Sequence, residues 1–211
     1  MLTDDIVDRL ARDLTPAAPP RWRNGVGLAA LCLAELAGFL AAGMARPDLA
    51  TAAATPVLWW KLAGLGVLAL VGLVTATRAA APERRPSIGL AVAGLLSLAA
   101  LSTGGWLGAA ATPGDLAARL AWRDGLHCLA FVSGLSIPPA LLLARLLRRG
   151  APTDPEGAAL ATGIGSAAWA AFVFVFACPH DDPLYVIAWY GLSMTLVVLA
   201  SRVLLPRWLR W

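Results

Sequence analysis

Six long runs of apolar residues, separated by short polar segments, dominate the chain. They fall at Val26–Ala45, Leu62–Thr77, Ser87–Gly114, Gly125–Ala144, Gly157–Pro179 and Pro183–Ser201. Most reach the roughly 20 residues that a helix needs to cross the hydrocarbon core of a bilayer. Leu62–Thr77 is shorter, and it reaches that length only if Pro56–Lys61 extends it and the Lys61 amine snorkels to the interface. The pattern predicts an all-α fold, a polytopic membrane bundle of six transmembrane helices.

The composition agrees with this prediction. Hydrophobic residues make up 59% of the 211 residues and charged residues only 14%, and the mean hydropathy is +0.70. In a soluble domain about a quarter of the residues are charged. The apolar runs also leave no stretch long enough for a separate soluble domain.

The basic residues mark alternate loops of this bundle. Only Arg46, Lys61, Arg119 and Arg123 fall on one side. The other thirteen of the seventeen Lys and Arg lie in the N-terminal segment, the second and fourth connections and the tail: Arg9, Arg12, Arg21, Arg23, Arg78, Arg84, Arg85, Arg145, Arg148, Arg149, Arg202, Arg207 and Arg210. The positive-inside rule therefore predicts that both termini are cytoplasmic.

The N-terminal segment carries a short amphipathic pattern. After Thr3, a plausible helix cap, apolar residues recur at helical spacing until Pro16 ends the pattern; they are Ile6, Val7, Leu10 and Leu14. We predict two parts: residues 1–23, a cytoplasmic helix with a proline-rich spacer, and residues 24–211, the transmembrane domain. A helix this short is marginal alone, which favours docking on a partner protein; packing on the lipid surface, or disorder, is the alternative.

Two polar spots that carry thiols interrupt the apolar pattern. His127-Cys128 stands at the start of the fourth run, and Cys178-Pro179-His180-Asp181-Asp182 stands at the end of the fifth. The predicted topology puts both spots on the outer side. Residue 153, midway between the cysteines, falls in an inner connection, so antiparallel neighbours hold both thiols at about one depth. The sequence predicts one site at the outer membrane face.

The residue types at this site suit a soft metal ion or redox chemistry. Thiolates and imidazoles bind soft divalent ions, so we expect transient metal binding at Cys128, Cys178 and His180 and no required cofactor. His127, Asp181 and Asp182 are further candidate sensing residues. A position in the first helical turn near Arg123 and His127 favours the Cys128 thiolate. A permanent structural disulfide, with His180-Asp181-Asp182 as a helix cap, or a coincidence of position are the alternatives.

Three features inside the spans give further expectations. Cys32 has apolar neighbours and is interpreted as a packed small hydrophobic residue. Glu35 has no cation at its expected depth, so we expect it to bond Ser or Thr groups on neighbouring spans. Pro138-Pro139 predicts a kink in the fourth span.

Four segments resemble the NrsF family, six-span anti-sigma factors of the bacterial inner membrane. They are Thr3–Pro16, His127-Cys128, Cys178–Tyr190 and Arg207–Trp211, and the resemblance covers essentially the whole chain. The Cys-Pro-His-Asp block is its most specific part. Many relatives have Trp-His where this chain has Trp189-Tyr190, which puts a role for an imidazole there in doubt.

The resemblance implies a function that composition does not. Family members hold an extracytoplasmic-function sigma factor through the N-terminal segment and release it under heavy-metal or oxidative stress, with cysteines matching Cys128 and Cys178 as sensors. We therefore expect a multi-pass inner-membrane regulator without catalysis, whose partners are a sigma factor and lipids, with no direct nucleic-acid binding and no small-molecule substrate. The residues expected to pack into a groove of the sigma factor are Ile6, Val7, Leu10 and Leu14. The alternatives are a small-molecule or metal-ion transporter and a thiol oxidoreductase, although the chain has no Cys-x-x-Cys pair.

Overall fold

The structure is a computed structural model that describes residues 21–110, 115–150 and 152–209. The predicted amphipathic helix, with Ile6, Val7, Leu10 and Leu14, lies outside the described residues. Within them every regular element is helical, so the all-α prediction is confirmed. The helices are α1 (Arg21–Ala41), α2 (Leu49–Ala52), α3 (Pro56–Ala79), α4 (Ser87–Ala110), α5 (Leu116–Leu120), α6 (Trp122–Gly150), α7 (Pro155–Val175), α8 (Pro183–Tyr185) and α9 (Gly191–Leu209), with a π-helical turn at Val186–Tyr190 joining the last two.

Five helical segments are long and apolar enough to cross a membrane. They are Pro56–Ala79, Ser87–Ala109, Leu116–Gly150, Pro155–Val175 and Pro183–Leu209. The apolar part of α1, Gly25–Ala41, falls short of the length of these five, so the sixth span stays a prediction. The second predicted span is longer than its apolar run because α3 begins at Pro56, a residue that suits the first turn of a helix.

Helix α7 is the core of the bundle. The buried share of its most apolar window is 78%, against 11% for α4. Its side chains are mostly Gly, Ala, Ser and Thr, which let neighbouring backbones approach closely. A Cβ atom on Gly165 would lie only 2.6 Å from the backbone nitrogen of Leu73 on α3, and one on Gly163 only 2.8 Å from the Cα of Val198 on α9. Small residues therefore set how closely α3 and α9 pack on α7.

The connections segregate to the two ends of the bundle as the charge pattern predicts. At one end, Thr153 donates a hydrogen bond to the carbonyl of Pro82 at 3.2 Å, which joins the connection before α7 to the connection after α3. We call this the arginine end, because Arg78, Arg145, Arg148 and Arg207 lie there. The opposite end, which holds Cys128 and Cys178, is the cysteine end. Which end faces the cytoplasm stays a prediction from the positive-inside rule.

Two expectations about the interior of the bundle need correction or comment. Glu35 does not bond Ser or Thr; its Oε2 accepts a hydrogen bond from the Trp169 indole Nε1 at 2.9 Å, because the aromatic side chain of α7 reaches across to α1. Helix α6 runs through Pro138-Pro139 as one continuous helix. Cys32 is 5% exposed in an apolar cluster with Leu28 and Leu143, in line with its interpretation as a packed residue.

Candidate functional site

The loop that carries Cys178 is an irregular connection between two helices. Helix α7 ends at Val175, and α8 begins at Pro183 with Asp182 as its N-cap. The Asp182 carboxylate accepts a hydrogen bond from the backbone N–H of Leu184 at 2.8 Å, which satisfies one of the free donors at a helix start. The interpretation of this block as a helix cap is therefore correct for Asp182. It does not exclude a separate role for the neighbouring Cys178.

Both cysteines of the predicted site lie in one buried cluster. The side chains of Cys128 and Cys178 are 0% and 1% exposed and belong to the same apolar core. They are close enough to interact electrostatically, and both are free thiols in this structure. The two thiols are thus brought together at one end of the bundle, as the hairpin geometry indicates.

The surroundings of Cys128 differ from the expected first helical turn. Helix α6 begins at Trp122, so Cys128 lies in its second turn and faces inward. Arg123 and His127 are both exposed, and the Arg123 guanidinium lies over the Trp122 ring, 5.3 Å from its centre. The prediction that these two residues activate the thiol is wrong, because the polar groups near it are instead Cys178, Ser193 and Lys61.

The contacts of Trp189 place the neighbouring Tyr190 beside the thiols. The ring of Trp189 packs on Gly125, where a side chain would leave no room, and its Nε1 donates to the carbonyl of Leu120 at 2.7 Å. This fixes the π-helical turn against the start of α6. Tyr190 is 2% exposed, and its hydroxyl faces Cys178 without a hydrogen bond of ordinary geometry to any described residue. The phenol of Tyr190 therefore stands next to the two thiols.

Three charged side chains close the cysteine end over this cluster, and we call Arg46, Lys61 and Asp181 the clasp. The Arg46 guanidinium donates to both carboxylate oxygens of Asp181, at 3.1 and 2.8 Å, and to the carbonyl of Cys178 at 3.0 Å. The Lys61 amine donates to Asp181 at 2.6 Å and to the carbonyl of His180 at 3.0 Å. The Arg46 and Lys61 side chains are 3% and 0% exposed.

Lys61 therefore does not snorkel to the interface as predicted. Its side chain is fully buried because Asp181 supplies the opposite charge that a buried ammonium group needs. The backbone N–H of Arg46 also donates to the carbonyl of Phe176 at 2.8 Å. The clasp thus ties the Cys178 loop to α3 and to the segment that follows α1.

Two further pairs hold the same loop from its other side. Arg119 on α5 forms two hydrogen bonds with Asp182, at 2.7 and 2.9 Å. The ring of His180 stacks on Tyr185 with 4.3 Å between centres, and its Nε2 lies 2.9 Å from an oxygen of Asp124. Each polar side chain of the loop thus has a partner on another element.

These cations tune the acidity of the loop carboxylates. Burial alone would raise the pKa of Asp181, but the hydrogen bonds from Arg46 and Lys61 outweigh it and lower the pKa below its usual range. The hydrogen bonds from Arg119 lower the pKa of Asp182 in the same way. Both groups are therefore carboxylates at neutral pH.

The comparisons with known proteins identify the family. Residues 10–211 match the model of the NrsF family, described as negative regulator of sigma F. The chain belongs to the NrsF family. It is 33% identical, over 229 aligned residues and all of both chains, to the anti-sigma-F factor NrsF of Caulobacter vibrioides. No solved structure matches it. As an NrsF family member the chain is an anti-sigma factor, and this membership favours regulation over transport. Its apolar helices indicate a membrane protein.

The described residues of this NrsF family member do not group the predicted metal ligands. No cluster of three or more His, Cys, Asp and Glu side chains suited to a metal ion occurs among them. Cys128 and Cys178 share a cluster, but His180 is held by Asp124 and Tyr185, and His127 is exposed. Metal capture by Cys128, Cys178 and His180 stays a prediction, and it requires the His180 side chain to leave both partners.

Sequence reasoning missed the residues that form the clasp. Arg46 and Lys61 of the clasp, and Arg119, which pairs with Asp182, were interpreted as basic residues on the cation-poor side, and Lys61 also as a snorkelling side chain. The available signal was that opposite charges lie on one predicted side of the membrane, because Asp181 and Asp182 fall on the same side as these basic residues. When a few cations lie on the cation-poor side together with an acidic loop, they indicate ion pairs within the protein. Such cations carry little information about which side of the membrane they face.

Proposed function

We propose that this chain is a multi-pass inner-membrane anti-sigma factor whose sigma partner is of the extracytoplasmic-function type. Residues 1–23 hold the sigma factor, and oxidation or metal capture at Cys128 and Cys178 releases it. One observation supports the proposal above all others. Both thiols are buried in one cluster beneath the clasp, and the clasp contacts the segment that follows α1.

The thiol chemistry has two forms. With a peroxide as oxidant, each cysteine loses one proton and one electron, an S–S bond forms, and the peroxide is reduced to water and an alcohol. With a soft divalent ion, both thiols lose their protons and bind as thiolates. Either event moves Cys178, whose own carbonyl group accepts a hydrogen bond from Arg46.

Helix α1 carries this change toward the N-terminal segment. It follows that segment in the sequence, and it is held by the Arg46 contacts just beyond its far end and by the hydrogen bond between Glu35 and Trp169. A signal releases sigma only if the two states of the bundle differ in their affinity for it. Loss of the clasp contacts frees the far end of α1, and the N-terminal segment then binds sigma less tightly.

The sensing step is tested with paired cysteine variants. In cells with a sigma-dependent reporter, the Cys128→Ser, Cys178→Ser variant should keep sigma sequestered under peroxide or Cd²⁺. Cys32→Ser, the matched control, should respond as the wild type does. A normal response from the double variant would refute the assignment of the sensor.

The docking step is tested separately. Leu10→Asp and Leu14→Asp should leave the reporter active without stress, and deletion of residues 1–15 should abolish recovery of a sigma factor with the detergent-solubilised protein. Ile6 and Val7 are expected to behave like Leu10 and Leu14. Continued sequestration by these variants would place the sigma-binding surface elsewhere.

A further inference from the structure

A groove separates α6 and α9 in the halves of these helices nearest the arginine end. Its volume is about 710 Å³, and its walls are mostly apolar, with Ile137, Leu141, Leu196 and Leu204 among the lining residues. Arg207 and Trp208 line it at the end of α9. The groove is therefore apolar along its length and cationic at its mouth.

A second arginine joins Arg207 at this mouth. Arg148 lies one helical turn beyond Ala144 and two turns beyond Leu141, both of which line the groove, so it shares their face of α6. Its guanidinium lies over the Trp208 ring, 5.8 Å from the ring centre. Arg148 and Arg207 are both exposed, and neither pairs with an acidic side chain within the described part of the chain. The mouth thus presents two positive charges without a counter-charge from those residues.

The length of the groove matches one leaflet of a bilayer. From Ser133 to Ala144 the lining of α6 rises by about 17 Å at the helical spacing. Half of the hydrocarbon core is about 15 Å thick. Apolar walls of this length span one leaflet when the two arginines and Trp208 stand at the headgroup level, where Trp and Arg side chains commonly anchor a helix.

We propose that this groove binds an anionic phospholipid. The acyl chain lies along Leu141 and Leu204, and the phosphate contacts Arg148 and Arg207. Basic pockets between transmembrane helices bind anionic headgroups, and guanidinium groups form paired hydrogen bonds with phosphate. A second copy of the chain fits this surface poorly, because it would bring the same unpaired arginines to the same depth.

The headgroup contact is tested by native mass spectrometry of the full chain in detergent, with phosphatidylglycerol or phosphatidylcholine added. The wild type should retain phosphatidylglycerol preferentially. The Arg148→Gln, Arg207→Gln variant should bind it about thirtyfold more weakly, since it loses two arginine–phosphate attractions. Arg78→Gln, Arg202→Gln, which removes the same charge outside the groove, should bind as the wild type does. Equal retention of the two lipids, or an equal loss in both variants, would overturn the proposal.

The acyl contact has its own test. Ala140→Trp fills the groove without changing a charge, and its helical content and size-exclusion profile verify folding. It should lose phosphatidylglycerol, whereas inorganic phosphate should leave lipid binding unchanged in the wild type. Lipid retention by Ala140→Trp, or displacement of the lipid by phosphate alone, would show that no acyl chain occupies the groove. If Ala140→Trp does not fold, Ala140→Leu is used in the same comparison.

Discussion

The guanidinium of Arg46 bonds both carboxylate oxygens of Asp181, across 135 residues of sequence. Arg46 follows α1, and Asp181 lies two residues before the first residue of α8. The same guanidinium bonds the carbonyl of Cys178 at 3.0 Å. Movement of the cysteine loop and movement of the far end of α1 are therefore energetically coupled through one side chain.

Removal of the Arg46 guanidinium should destabilise the bundle. Arg46→Gln leaves the Cys178 carbonyl without its donor and leaves Asp181 with Lys61 alone, so we expect a loss of about 2 kcal/mol in the free energy of unfolding. Asp48→Asn removes only the outer partner of Arg46. The Asp48 side chain is 51% exposed, so this loss should be much smaller because solvent screens an exposed ion pair. Denaturant unfolding in detergent measures both. Equal effects would show that the contact with Asp181 contributes little.

The clasp should also control access to the cysteines. In a Cys32→Ala background both remaining thiols are buried, so reaction with a maleimide should require local opening and be slow. Arg46→Gln should speed labelling of Cys178 by on the order of tenfold, because it weakens the loop contacts.

Arg123→Gln is the matched control for the labelling experiment. Arg123 contacts Trp122 and lies outside the clasp, so its replacement should leave the labelling rate unchanged. Rapid labelling of the parent protein would contradict the burial of the thiols.

Acid should open the cysteine end. The folded protein holds the pKa values of Asp181 and Asp182 below their usual range, so their contribution to stability is present above the unfolded value of about 3.9 and is lost as the pH falls through the folded values. The melting temperature of the wild type should drop below about pH 4. In Asp181→Asn, Asp182→Asn the stability at neutral pH should be lower and its dependence on acid weaker. Parallel curves for the two proteins would exclude this linkage.

The crossing of α3 and α7 should not tolerate a methyl group. Gly165→Ala places a Cβ against the backbone of Leu73, and a backbone cannot rotate away as a side chain can, so we expect a loss of about 1–3 kcal/mol in stability. At Gly94 a Cβ would meet nothing within 4 Å. Gly94→Ala should therefore be neutral or stabilise by up to about 1 kcal/mol through helix propensity. If both variants unfold alike, the close approach is not what limits the residue at position 165.

Sequence reasoning found the helices and the pairing of Cys128 with Cys178, because both follow from local rules. A long apolar run marks a helix, and the midpoint of a hairpin marks equal depth. The predicted position of Cys128 in the first helical turn was wrong because α6 begins at Trp122 rather than Gly125. The apolar run begins only after the charged residues Arg123 and Asp124, so the predicted helix lacked its first three residues, almost one turn. With these residues included, Cys128 lies in the second turn and faces the interior.

The sequence has opposite charges on the same side of the bundle, but it does not show which of them pair in the clasp. Lys61 and Asp181 lie 120 residues apart in sequence, and no periodicity or spacing records which loops meet at the end of a bundle. An isolated lysine at a span end is typical of a snorkelling side chain. Only the fold shows that the Asp181 carboxylate lies beside the Lys61 amine. In the same way, only the fold shows that Trp169 donates a hydrogen bond to Glu35.

The burial of α7 has a consequence for how the protein is made. Neighbouring helices, rather than lipid, cover most of its apolar window. Its partners α3 and α6 precede it in the chain and leave the ribosome first, so a cradle of inserted helices is available when α7 is synthesised. Helix α9 follows and closes the last side. The order of synthesis thus matches the order of packing, with the central helix made after two of its neighbours and before the third.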